Sequence, residues 1–214
     1  MKETEKRMIE IQKLPIFVDE VNFFTMPNHE YWKKQISNII KVEDNKNIHK
    51  FTTIPDEEDN VKANRTAWDS HLRYPAIGEL TEKITDIIHS SIIQDGYDAP
   101  YLSTEDAWIN WYSKNQFATS HFHACHIAAV YFVDTENSFS DFIFTRKDHY
   151  RLLKKEKENT ITNIHKKINI KDGTIAFFDG GMWHSVSPNL SEKPRVTFAI
   201  NLKVEYRGKR ENFF

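Results

Sequence analysis

In the first half of the chain, apolar residues recur at three- and four-residue steps. Between Asn28 and Val42, the residues Tyr31, Trp32, Ile36, Ile39 and Ile40 keep that spacing and predict an amphipathic helix. Leu80, Ile84, Ile87, Ile88 and Ile92 form a second stripe and predict a helix over Glu79–Ile93, with Pro75-Ala76-Ile77-Gly78 read as a break before it. Leu14–Val18 predicts an edge strand, since Pro15 cannot donate to a ladder. The charged, turn-rich stretch 43–65 reads as a surface loop with one strand at Phe51–Ile54.

After Gly96 the pattern changes to short β-branched and aromatic runs divided by turn residues. These predict strands at Ala107–Tyr112, Ile127–Val133, Phe142–Thr145, Lys167–Ile170, Thr174–Phe178 and Arg195–Val204. Short strands with no helical period between them argue for a β-sandwich or barrel carrying the earlier helices on its outside. The expectation is a mainly β, α+β fold forming one domain over residues 1–214. Residues 1–100 supply flanking helices and outer strands, and 101–206 the β core, with an inserted loop at 134–166.

Composition narrows the classes. The chain has 214 residues and a net charge of −2, so no global charge draws it to nucleic acid or to a membrane surface. Its one cysteine, Cys125, excludes an internal disulfide and fits a reducing compartment. No apolar run reaches the length of a membrane span, and the charged N-terminus lacks the apolar centre of a signal peptide. A cytoplasmic protein is expected.

The candidate chemistry lies in three places. Ser120-His121-Phe122-His123-Ala124-Cys125-His126 sets three histidines within six residues at the head of an apolar run. On a strand, His121 and His123 share a face and can grip one metal ion, while His126 falls on the other face. Asp179-Gly180-Gly181-Met182-Trp183-His184 offers a third ligand after a sharp turn. In Arg195-Val196-Thr197-Phe198-Ala199-Ile200-Asn201, alternation puts Arg195, Thr197, Ala199 and Asn201 on one face. An arginine turned into a barrel interior is costly unless it meets an anion, and a forked donor with a hydroxyl two residues on suits a carboxylate.

His-x-His, a distal histidine and Arg-x-Thr in this order resemble the double-stranded β-helix (jelly-roll, cupin-like) oxygenases that use non-haem Fe(II) and 2-oxoglutarate. The likeness is to a branch found in marine bacteria and their phages. It is carried by Trp108-x-Asn110, His121-x-His123, Val130–Val133, Gly173–Phe178, Trp183-His184-x-Val186-x-Pro188-Asn189 and Arg195–Asn201. The resemblance implies a metal held by His121, His123 and His184. It also implies a cosubstrate held at its far carboxylate by Arg195 and Thr197. Tyr112 and Tyr131 stand either as donors to the same cosubstrate or as core aromatics. In most of these oxygenases the second ligand is a carboxylate. Here His123 replaces it, and three imidazoles suit Zn(II) as well as Fe(II). The implied function is a hydroxylase-like oxygenase that decarboxylates 2-oxoglutarate to succinate. The implied partners are dioxygen and a small-molecule or side-chain substrate, with a homodimer left open. Two alternatives stand beside it: a three-histidine cupin-type dioxygenase that needs no 2-oxoglutarate, and a non-catalytic binding barrel.

Overall fold

The computed structural model describes residues 21–45, 61–94, 101–145, 165–168 and 170–205. The predicted strands at Leu14–Val18 and Phe51–Ile54 lie outside these residues, as does 146–164 of the predicted insertion. The strands are β1 (Val21–Thr25), β2 (Val61–Lys62), β3 (Asn64–Arg65), β4 (Tyr101–Tyr112), β5 (Phe117–His121), β6 (Ile127–Asp134), β7 (Phe142–Thr145), β8 (His165–Ile168), β9 (Thr174–Asp179), β10 (His184–Val186) and β11 (Arg195–Glu205). The helices are α1 (His29–Asn45), α2 (Ser70–Arg73) and α3 (Pro75–Gln94).

The strands form two antiparallel sheets. One has the order β1-β9-β6-β11-β4-β3, and the other β2-β5-β10-β7-β8. This is the double-stranded β-helix that the resemblance implied. The two faces of the six-stranded sheet serve different purposes. Ile109 and Trp111 of β4, Tyr131 and Val133 of β6, and Phe198, Ile200 and Leu202 of β11 pack outward. They meet Trp32, Ile36 and Ile39 of α1 and Ile77, Leu80, Ile84 and Ile88 of α3. Each such aliphatic side chain, fully buried, stabilises the fold by roughly 1.5–3 kcal/mol relative to exposure. The alternate residues, Tyr112, Val130, Phe132 and Phe178, turn inward to Phe142, Phe144 and Val186 of the facing sheet.

Several elements differ from the sequence expectation. The helix α3 begins at Pro75, not at Glu79. Proline suits a first helical turn because its missing N–H has no intrahelical partner there. Gly78 then serves close packing: a Cβ at that position would lie 2.9 Å from the His71 carbonyl oxygen in α2. Strand β4 starts at Tyr101 rather than Ala107, and its outer end pairs with Leu202–Glu205 of β11. Finally, β5 and β10 were not anticipated, and both carry site residues.

Candidate metal centre

His121 ends β5, and His184 opens β10 directly opposite it in the ladder. His123 does not continue a strand. It lies in the turn between β5 and β6, so the expected strand alternation is not what aligns the pair. The turn is fastened to Gly180, whose carbonyl accepts from the His123 N–H (2.8 Å) and whose N–H donates to the His126 carbonyl (3.1 Å). A side chain at Gly180 would collide with this turn, since its Cβ would fall 2.1 Å from the Cys125 carbonyl oxygen. His126 itself is structural: its Nδ1 accepts the backbone N–H of Val204 (3.0 Å).

The three imidazoles converge. Ring centroids are 4.5 Å apart for His121–His184, 5.0 Å for His123–His184 and 5.6 Å for His121–His123. One nitrogen of each lies within 4.8 Å of the others. Hydrogen bonds fix which nitrogen is free. His121 Nδ1 donates to the Thr119 carbonyl (2.8 Å), and His184 Nδ1 to the Met182 carbonyl (3.0 Å). His123 Nδ1 donates to Asn201 Oδ1 (2.6 Å), and Asn201 Nδ2 donates in turn to Asp106 Oδ2 (3.3 Å). A carbonyl oxygen can only accept, so each Nδ1 holds the proton and each Nε2 presents a lone pair. Burial enforces the same state. It lowers the pKa of His121, brings His123 down to about 4 and drives His184 well below the ordinary imidazole value, against weaker opposing hydrogen bonds. Phe142, Phe144 and Phe178 surround the His184 ring and account for much of that desolvation.

Beside the histidines lies a cavity of about 510 Å³ lined by Arg195, Thr197, Ala199 and Asn201 of β11, the face expected from alternation. Arg195 is 2% exposed. Its guanidinium sits between the rings of Tyr112 and Phe132, 5.7 and 5.6 Å from their centroids. Its Nε and Nη1 are buried without any hydrogen-bond partner. Burial pulls its pKa down to about 10, and Tyr112 and Asp172 only partly offset that. Tyr112 faces Arg195 across the ladder and lines the cavity with it. Tyr131 does not reach the cavity. Its side chain is on the helix-facing side of β6, where His29 Nδ1 lies 2.6 Å from its hydroxyl. The structure thus gathers His121, His123, His184, Arg195, Thr197 and Tyr112 and sets Tyr131 apart. That corrects Tyr131 to a residue of the outer core, because strand parity turns it away from Val130 and Phe132.

At the mouth, Trp108 stacks on His123 (5.5 Å, 21°) and Trp68 packs edge-on against Trp108 (4.4 Å). Trp68 and Phe122 are 44% and 50% exposed, which leaves aromatic surface at the entrance. Among the described residues no helix is long and apolar enough to cross a membrane.

A buried His184 and half-buried His121 and His123, all three neutral, lie on a double-stranded β-helix next to a guanidinium with unpartnered nitrogens, a donor set suited to a divalent metal beside an anion. Residues 106–201 match the family described as "Putative 2OG-Fe(II) oxygenase". Similar solved structures include the alpha-ketoglutarate-dependent carbocyclase SnoK from nogalamycin biosynthesis, at 12% identity and TM-score 0.62, covering 86% of this chain and 79% of that one. A Pseudomonas putida prolyl-4-hydroxylase aligns at 9% identity and TM-score 0.61, covering 86% and 92%. The viral collagen prolyl hydroxylase of Paramecium bursaria Chlorella virus-1, in its 2OG complex, aligns at 12% and 0.55, covering 85% and 94%. At such identities the likeness speaks to fold. No curated protein matches the chain.

The site residues that sequence reasoning missed are Asn201 and Asp106. Asn201 had a signal, since it shares the Arg195 face of β11. Asp106 had none until the β4–β11 register was known.

Proposed function

We propose that this protein is a non-haem Fe(II)- and 2-oxoglutarate-dependent oxygenase of the hydroxylating kind, acting on a small molecule or on a side chain of another molecule. The observation that carries the proposal is Arg195. A cation held in the interior with Nε and Nη1 unpartnered needs an anionic ligand, and it shares one cavity with the histidine cluster.

The residues fit the groups required. The Nε2 atoms of His121, His123 and His184 would hold the metal, the rings being already neutral and already oriented by their Nδ1 contacts. Arg195 and Thr197 would take the far carboxylate of 2-oxoglutarate, with a guanidinium fork and a hydroxyl as donors. Tyr112, on the adjacent strand, closes that end of the cavity. When bound, iron and 2-oxoglutarate together supply the oxidation: the cosubstrate becomes succinate and CO₂, and one atom of dioxygen goes to the substrate. The chain's own contribution is to orient and to exclude water. Phe142, Phe144 and Phe178 dry the metal side, and Trp68, Trp108 and Phe122 form the surface on which a substrate enters.

The test is an anaerobic titration of metal-free protein with Fe(II) and then 2-oxoglutarate, following the charge-transfer absorption of the chelate. The band is expected in the wild type and should be weaker in both His123→Ala and Arg195→Ala. Iron retained without a band would favour the three-histidine dioxygenase. Failure to bind iron would remove the oxygenase reading.

A further inference from the structure

The three histidines are not held alike. His121 and His184 each donate Nδ1–H to a main-chain carbonyl two residues earlier, at Thr119 and Met182. His123 instead donates to a side chain, Asn201 Oδ1 at 2.6 Å, and the amide passes the contact on to Asp106 at 3.3 Å. The direction of this chain is fixed at both ends. The carboxylate of Asp106 accepts from Nδ2, so Oδ1 faces the imidazole and must accept from it. Asn201 and Asp106 are directly opposed in the β11–β4 ladder, and the register breaks immediately after Asn201. An irregularity at that point re-aims a side chain next to a site. Both residues also form part of the cavity wall.

The histidine with this support is the one that stands where a carboxylate ligand is expected. Three neutral imidazoles leave a divalent ion with its full charge, whereas two imidazoles and a carboxylate reduce it by one. From this geometry we infer that Asp106 and Asn201 are positioning residues forming an outer relay to His123. The relay holds the ring in its ligating tautomer and returns one negative charge to the site at a distance. It thereby does indirectly what a carboxylate ligand does by direct contact. The inference rests on the metal centre proposed above. The neutral amide in the middle has a physical reason: Asn201 is 8% exposed, and an ionised side chain there would be costly to bury. Asp106, which is only partly buried, keeps access to water for its charge.

The test uses the intact protein, stripped of metal and given Co(II) as the probe, with affinity measured by chelator competition and by the visible spectrum of the bound ion. Neither oxygen nor cosubstrate is needed. Asp106→Asn keeps the shape and removes the charge. It is expected to weaken Co(II) binding by about tenfold or more, the usual effect of losing a partner behind a ligating histidine. Adding Asn201→Asp to that variant moves the carboxylate one place inward. The double variant is expected to recover affinity to within about threefold of the wild type, which a merely structural role for the pair would not produce. Melting curves of the metal-free variants verify folding. Wild-type affinity in Asp106→Asn would overturn the relay, and so would a loss that the double variant does not repair. Absence of Co(II) binding in the wild type is a separate outcome, and it would overturn the metal centre itself.

Discussion

Arg195 offers a prediction in which stability and binding move in opposite directions. Its guanidinium is 2% exposed, and burial pulls its pKa down to about 10. At about 1.4 kcal/mol per tenfold change, holding the charge there costs the metal-free protein roughly 3 kcal/mol. The sign follows from proton linkage. Between about 10 and the ordinary arginine value the unfolded chain binds the proton more tightly, so at neutral pH the penalty is present in full. Arg195→Met removes the charge and keeps much of the volume. It also forfeits the ring contacts to Tyr112 and Phe132, worth about 1 kcal/mol. The net gain of roughly 1–2 kcal/mol should raise the melting temperature of the ligand-free protein by about 3–6 °C. The same change should weaken 2-oxoglutarate binding by at least about 100-fold, since a buried charge-assisted pair is worth roughly 3–5 kcal/mol. Thermal melts with and without 2-oxoglutarate, in the presence of Ni(II) in place of iron, measure both effects. A variant that is less stable than the wild type without ligand and still binds 2-oxoglutarate normally would refute the assignment.

Other outcomes follow from the same geometry. Thr197→Val, which removes one hydroxyl from the cavity wall, should weaken 2-oxoglutarate by roughly fivefold, about 1 kcal/mol, with little change in metal affinity. Gly180→Ala drives a Cβ to 2.1 Å from the Cys125 carbonyl, so it should displace the turn bearing His123. A loss of about 3 kcal/mol in stability and of Co(II) binding is expected, and a variant that melts and binds as wild type would contradict the packing described. Burial brings His123 down to about 4 from 6.5 and lowers His121 and His184 too, so the unfolded chain takes up protons that the folded protein refuses. Their contribution to stability is present above about pH 6.5 and is lost as pH falls toward 4, by up to about 1.4 kcal/mol per pH unit for each group. The melting temperature of metal-free protein should therefore drop between pH 7 and pH 5, and drop less in His123→Gln. Equal slopes in the two proteins would contradict this.

The legible parts of the chain were those whose sequence carries its own period. The stripes of α1 and α3 and the alternation in β11 needed no partner to be read, and β11 alone put Arg195, Thr197 and Asn201 on one face. The β5 strand, Phe-Ala-Thr-Ser-His, has no apolar alternation, and β10 is only three residues long. Both are held by pairing with each other and, for β10, with β7, so their strand character comes from their neighbours. Tyr131 was ambiguous for the opposite reason. Strand β6 is buried on both faces from Ala128 to Val133, and apolarity does not say which face looks at the site. The alignment of His121 with His123 was foreseen, but for a reason the structure replaces: the turn docked on Gly180 brings them together. Asp106 became visible only through the ladder that sets it opposite Asn201.

The central claim is that the three histidines and Arg195 grip two ends of one metal–cosubstrate unit. The most direct measurement is a crystal structure of the protein with Ni(II) and 2-oxoglutarate, with the metal located by anomalous scattering. Metal density is expected about 2.1 Å from Nε2 of His121, His123 and His184, with a carboxylate on Nε and Nη1 of Arg195. Metal bound elsewhere, or Arg195 turned to a protein carboxylate while 2-oxoglutarate is absent from its cavity, would contradict it.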